Sequence, residues 1–282
     1  MDWIDSMVPK ENNLIFLHVP KTAGSTFHML LNARYSQAET FNVFGSRFSE
    51  PEIAAFIDDP IDNKTGIRLL KGHMPFGLHK YMPGHSKYIS ILRDPIDRVI
   101  SQYYYIKKNN YNPLHEAVEG RGMSLPDFVS SGLAVGMNNG QCRFLNGDLD
   151  AYAFNDCSGE LLENAKSHIT EHFSWLGVTE RFDESILILA GELGWEKPPF
   201  YFRENVAKKR NIVKDVKPEE IEVIKNFNSL DIQLYNYVNG LLDEQIKSVS
   251  NFSEKMSSFQ RENVKLQRRW SWLPDSIRKN ML

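Results

Sequence analysis

The stretch from Leu14 to Arg34 constrains this chain more than any other. It runs from an apolar segment, LIFLHV at 14–19, through Pro-Lys-Thr-Ala-Gly-Ser-Thr at 20–26, into a segment with helical spacing. A short run of β-formers that ends at a turn predicts a buried strand. Phe27, Leu30, Leu31 and Arg34 recur at three- and four-residue steps, so 27–35 predicts a helix, with Ser25 or Thr26 able to cap it. A loop entering a helix offers unpaired backbone N–H groups at the positive end of the helix dipole, which together cradle an anion. Gly24 permits close approach, Ser25 and Thr26 add hydroxyl donors, and Lys21 adds a mobile charge. By itself the turn is equally an ordinary capped helix. A Walker loop places its lysine after the second glycine, in Gly-Lys-Ser/Thr. Here lysine comes first and no Gly-Lys-Ser/Thr occurs in the chain, which argues against a kinase or NTPase.

Further strands are predicted at Ile67–Lys71, Lys87–Arg93 and Ser174–Val178. Asp94 followed by Pro95 is a helix start, with the helix running to about Lys108. Asp183 should cap another helix, Glu184 to Leu193. Strands alternating with helices predict an α/β fold: a P-loop-like three-layer domain with a mainly parallel central sheet flanked by helices. From Pro218 the chain reads as helical, and Tyr235, Val238, Leu242, Ile246, Val249, Phe252 and Met256 mark one apolar seam. The expected organisation is an α/β domain over 1–240 with a helical C-terminal extension over 241–282, whose seam packs on the core or on a second subunit as a homodimer.

With 282 residues, 41% of them hydrophobic, the chain can bury a sizeable core. A net charge of −3 excludes bulk attraction to nucleic acid, so any anion site must arise from local clustering. Cys142 and Cys157 are too few for a disulfide framework. The first residues lack the pattern of a signal peptide and no apolar run reaches membrane-spanning length. A soluble, cytoplasmic protein is the expectation.

In parallel sheets, ligands sit beyond the carboxyl ends of the strands. Lys21 to Thr26, His73 and Arg93 all fall at such ends. After Arg93, the residues Arg98, Ser101 and Tyr105 are spaced to share one helix face. A guanidinium with a hydroxyl can orient a second phosphate, although Arg93 could instead pair with Asp94 or Asp97.

The pair of motifs, HVPKTAGST after one strand and RDPIDRVISQYYY after a later one, resembles the sulfotransferase superfamily. The likeness is greatest to the branch of heparan-sulfate 2-O-sulfotransferases and bacterial carbohydrate-type relatives. Lys71-Gly-His-Met, Asn139 to Gly147 and Gly177 to Phe182 also look like family segments. The resemblance implies 3′-phosphoadenosine 5′-phosphosulfate (PAPS) as sulfuryl donor, PAP as product, and no metal. It implies that Lys21, Thr22, Ala23, Gly24, Ser25 and Thr26 hold the 5′-phosphosulfate, and that Arg93 and Ser101 hold the 3′-phosphate. It makes His73 the general base, Lys21 the group that stabilises the leaving phosphate, and a hydroxyl, on a carbohydrate or glycoconjugate, the acceptor. Some family members carry a second histidine two residues before the first, where this chain has Lys71.

Two rival readings stand beside this one. His168-Ile-Thr-Glu171-His172 matches the H-x-x-E-H pattern of some zinc peptidases. A non-catalytic nucleotide-binding protein of the same fold is the other. Arg203 with Lys208-Lys209-Arg210 forms a basic cluster, and 265–282 mixes arginines with Trp270 and Trp272 in what reads as a docked terminal helix.

Overall fold

The computed structural model describes residues 13–45, 50–196, 200–201 and 216–270. Five strands, β1 (Asn13–Leu17), β2 (Thr40–Phe44), β3 (Leu69–His73), β4 (Ser86–Leu92) and β5 (Phe173–Val178), form one sheet in the order β2-β3-β1-β4-β5. Every pairing is parallel. β1 lies at the centre and is buried along its whole length. A strand covered on both faces needs a continuous apolar run rather than alternation, which is what Leu14-Ile-Phe-Leu supplies.

The helices of the first half are α1 (Gly24–Asn32), α2 (Pro51–Asp58), α3 (Pro95–Lys108), α4 (Leu125–Ser130) and α5 (Gly140–Asn146). Those of the second half are α6 (Gly159–His172), α7 (Phe182–Glu192), α8 (Pro218–Phe227), α9 (Ser229–Ser248) and α10 (Phe252–Trp270). α1 covers one face of β1 and β3: Phe27 packs on Phe16 with ring centroids 4.5 Å apart, and Asn32 accepts from Lys71. α2 covers the opposite face at the sheet edge, where Phe56 meets Phe41 at 5.0 Å. Helices therefore lie on both faces of a parallel sheet, as the alternation of elements predicts.

α3 begins at Pro95 and ends at Lys108, and Asp94 Oδ1 accepts from the Asp97 N–H at 3.0 Å. Several expected boundaries differ, β3 running over Leu69–His73 rather than Ile67–Lys71. Asp183 lies inside α7 rather than capping it, because a single 3-10 turn at Thr179–Arg181 leads directly into the helix at Phe182. The edge strand β2 went unpredicted, since only Val43 among its five residues is buried.

The C-terminal seam divides between two helices. The chain breaks at Asn251, whose φ is 54°, and both α9 and α10 dock on the main core. Leu234, Val238, Leu242 and Phe259 are buried there, with Tyr235, Ile246, Val249, Phe252 and Met256 packed alongside. α9 runs unbroken through Gly240. A second apolar cluster joins α3, α4 and α8 through Val99, Ile100, Tyr103, Phe128 and Ile224.

Candidate active site

The 18–23 loop turns sharply through two left-handed residues, Lys21 with φ 72° and Ala23 with φ 66°. Left-handed backbone is costly for residues with a β-carbon, by about 1–3 kcal/mol each, and such strain clusters at functional sites. Alternating left-handed positions turn successive amides to one side, forming a concave anion nest. Buried Thr22 braces the turn by donating its hydroxyl to the Val19 carbonyl at 2.8 Å. Because Ala23 supplies the turn, α1 starts at Gly24, earlier than predicted, and neither Ser25 nor Thr26 caps it. Instead both hydroxyls stand in the first helical turn, beside the amides they were expected to satisfy.

Gly24 is required by a neighbour rather than by its own backbone. A β-carbon there would lie 1.7 Å from Nε2 of His18. At the end of β3, Gly72 adopts φ 145°, and a β-carbon would lie 1.7 Å from the Val43 carbonyl oxygen. Gly24 thus lets α1 close on the His18 ring, and Gly72 lets β2 approach β3.

His73 is the last residue of β3, and its ring stacks on His18 with centroids 4.1 Å apart. Its Nδ1 lies 2.8 Å from the His18 carbonyl oxygen. A carbonyl only accepts, so Nδ1 carries the hydrogen and Nε2 of a neutral His73 is left as the basic nitrogen. His28 of α1 completes the group, its Nε2 3.1 Å from Nδ1 of His18. Burial, and then the charges that His73, His28 and Lys21 would present, hold His18 at about 2. Burial, with Lys71 and His73 nearby, lowers His28 to about 4. Burial also lowers His73, opposed by the His18 carbonyl and aided by Lys21. All three imidazoles are neutral at pH 7. The sequence reading singled out His73 but not His18 or His28, although His18 stands at the start of the 18–23 loop. The histidine stacked on His73 is thus His18, which directly follows the adjacent strand β1. Lys71, two residues before His73, is buried and turned to Asn32, and desolvation lowers its pKa.

The second motif reaches the first through Arg93. Its Nη1 donates to the Lys21 carbonyl at 3.3 Å, and its Nη2 to Asp97 at 3.4 Å. Nε lies 3.8 Å from a Glu180 carboxylate oxygen and is buried, with no hydrogen-bond partner among the described residues. Arg93 therefore pairs with Asp97, as its alternative reading expected, and also bonds to the 18–23 loop. Its backbone is clamped by Gln141, whose Oε1 accepts from Arg93 N–H at 3.0 Å and whose Nε2 donates to Arg93 O at 2.8 Å. The Lys21 ammonium lies 4.0 Å from the centroid of the Tyr105 ring on α3. Ser101, one turn earlier than Tyr105, therefore lies on the α3 face turned to the loop, half-buried.

Arg98 does not share that environment. It is fully buried, donates to the Gly136 carbonyl at 2.6 Å and stands 3.8 Å from Asp231. Asp231 in turn accepts from the Gln141 and Cys142 amides at 3.0 and 2.8 Å, so it closes the N-terminus of α5. Arg98 thus turns to the inner side of α3, where the Gly136 carbonyl and Asp231 face its Nη2.

The zinc reading is not supported. His168 is placed 2.9 Å from the Leu145 carbonyl through Nδ1 and stacks on Phe76. Glu171 accepts from Ser167 at 2.6 Å. His172 Nε2 lies 3.8 Å from Glu171, and among the described residues no group of three His, Cys, Asp or Glu has metal-binding geometry. No described helix is long and apolar enough to cross a membrane. Arg203, Lys208, Lys209, Arg210 and the tail beyond Trp270 lie outside the described residues.

Human galactose-3-O-sulfotransferase 2 is 26% identical over 85% of this chain and 62% of its own length. Hamster (Cricetulus griseus) heparan-sulfate 6-O-sulfotransferase 1 is 24% identical over 82% of this chain and 67% of its own. The chain thus spans roughly three-fifths to two-thirds of these relatives. A crystal structure of a mouse sulfotransferase complexed with PAP aligns with 90% of this chain and 91% of its own, at 14% identity and a TM-score of 0.37, too distant for residue-by-residue comparison. The profile of the galactose-3-O-sulfotransferase family matches residues 4–269, nearly the whole chain, and the chain belongs to that family.

Proposed function

We propose that this protein transfers a sulfuryl group from PAPS to a carbohydrate hydroxyl, with His73 as general base and Lys21 stabilising the leaving phosphate. The observation that carries the reading is the oriented His73 imidazole beside a strained, amide-rich loop that holds Lys21. The residues present suit a doubly phosphorylated nucleotide. The left-handed pair turns the loop backbone at a helix N-terminus, and among the described residues the buried Nε of Arg93 has no hydrogen-bond partner. Lys21, Thr22, Ala23, Gly24, Ser25 and Thr26 would hold the 5′ end of PAPS, with Arg93 and Ser101 at its 3′-phosphate.

Bound PAPS supplies an electrophilic sulfur attached to a good leaving group. The protein's own contribution is alignment and charge. His73 accepts the acceptor hydroxyl proton at Nε2, and the His18 carbonyl steadies the imidazolium so formed through the Nδ1–H. The nearby Lys21 ammonium and the loop amides offset negative charge that grows on the leaving oxygen. Arg93 ties the loop carbonyl to α3 and so fixes the distance between the two anion subsites. A carbohydrate acceptor is supported by the galactose-3-O-sulfotransferase family profile and by the names of the relatives.

The test is transfer from PAPS to a panel of galactosides by wild type, Lys21→Ala and His73→Ala. Removing one charge-stabilising donor typically costs about 3 kcal/mol, or a hundredfold in rate, and Lys21→Ala should lose at least that. Absence of transfer by the wild type to every hydroxyl acceptor, with PAP still bound, would favour a nucleotide-binding protein without turnover.

A further inference from the structure

Phe44 is the last residue of the edge strand β2 and is 60% exposed. Its Cα pairs in register with that of His73 on β3. Residues in register on neighbouring parallel strands project to the same face, with strand axes about 4.8 Å apart. Phe44, His73 and His18 therefore form a row along the carboxyl edge of three adjacent strands, since His73 stacks on His18. α1 covers this face over β1 and β3, where Phe16 meets Phe27 and Lys71 meets Asn32. Among the described residues, no helix packs on the same face over β2. Asn42 and Phe44 are both exposed on it, whereas Val43, pointing the other way, is fully buried.

An exposed phenylalanine at the edge of a core is unremarkable when it stands alone. This one is held in place. Its N–H donates to the Glu52 carboxylate at 3.0 Å, and the next N–H, of Gly45, donates to the His73 carbonyl at 3.0 Å. The backbone that presents the ring is thus bonded directly to the residue that would accept the proton. Binding sites combine an apolar surface with a few placed polar groups. A pyranose matches that pattern, having an apolar C–H face and a polar rim, and Asn42 offers an amide one pleat away on the same exposed face.

We infer that Phe44 is the platform on which the sugar ring of the acceptor stacks, with Asn42 at its rim, so that one ring hydroxyl is presented to His73. This rests on the proposed sulfuryl transfer for the role of His73, but the sugar contact can be read without turnover. Phe44 is an acceptor-binding residue and takes no part in bond making.

The probes are lactose and methyl β-D-galactopyranoside with the full chain, by saturation-transfer NMR in the presence of PAP and by kinetics with PAPS. Phe44→Ala should lose most of the saturation transfer to either sugar, and Phe44→Trp should keep it. In kinetics, Phe44→Ala should raise KM for lactose about tenfold with kcat within about twofold and PAP affinity unchanged. Loss of sugar contact in Phe44→Ala with no turnover by any form would leave the platform standing and refute the transfer. Turnover with the same KM in wild type and Phe44→Ala would refute the platform and leave the transfer standing. Equal saturation transfer in both forms, or none in the wild type, would also overturn the platform.

Discussion

Nδ1 of His73 donates to the backbone carbonyl of His18 across 2.8 Å, and the two rings stack at 4.1 Å. One bond fixes the tautomer and the other contact fixes the ring plane. The remaining lone pair of His73 is thereby set by the first residue after the central strand β1, so the proposed base and the proposed anion cradle share one piece of backbone.

That burial lowers the His73 pKa has a kinetic consequence. A general base works in its deprotonated form, so kcat/KM should rise with pH and level off above an apparent pKa below the usual 6.5 of histidine. The pH–rate profile of the wild type checks this. An acid limb centred above 7 would contradict it.

His18 and His28 are neutral in the fold, at about 2 and about 4, but would protonate near 6.5 in the unfolded chain. Between those values the unfolded state binds more protons, so their contribution to stability is complete above about 6.5 and is lost as pH falls toward 4 and below. Each such histidine costs up to about 1.4 kcal/mol per pH unit in that window. Urea unfolding at pH 7.5 and pH 5 should show a marked loss, smaller in His28→Gln.

Gly24→Ala should drive a methyl into the His18 ring, where the clash distance is 1.7 Å. Overpacking of this kind typically costs about 1–3 kcal/mol. Thermal melting should show the loss, and transfer should fall with it because His18 orients His73. Gly24→Ala combined with His18→Ala should recover stability relative to Gly24→Ala alone, since the collision partner is gone.

Asp231 is fully buried, accepts two amides of α5 and faces Arg98 at 3.8 Å. Removing one partner of a buried pair typically costs about 3–5 kcal/mol. Asp231→Ala should show a loss of that size in denaturant unfolding. Gln141 holds the Arg93 backbone from the same helix start, so the variant should also weaken PAP binding, measured by calorimetry.

Local chemistry was legible in the sequence and long-range placement was not. Asp94-Pro95 marks a helix start whose cap lies within four residues, and the helix appears where those residues put it. Leu14 to Leu17 reads as a strand because a central parallel strand must be apolar throughout. By contrast, β2 hides in Thr-Phe-Asn-Val-Phe, where edge position leaves a single buried side chain. The early start of α1 depends on Ala23 adopting a left-handed conformation for which it has no intrinsic preference. His18 and His28 reach His73 only when β1, β3 and α1 are packed together. The hold of Asp231 on α5 spans about ninety residues of chain, and the spacing on α3 could not tell that Arg98 turns inward.

The most direct test of the account is single-turnover transfer from radiolabelled PAPS to lactose by wild type and His73→Ala, paired with PAP titration of both by calorimetry. The account predicts labelled lactose sulfate from the wild type, a rate at least about a hundredfold lower for His73→Ala, and equal PAP affinity in the two proteins. Wild-type rates in His73→Ala, with PAP bound as before, would contradict it.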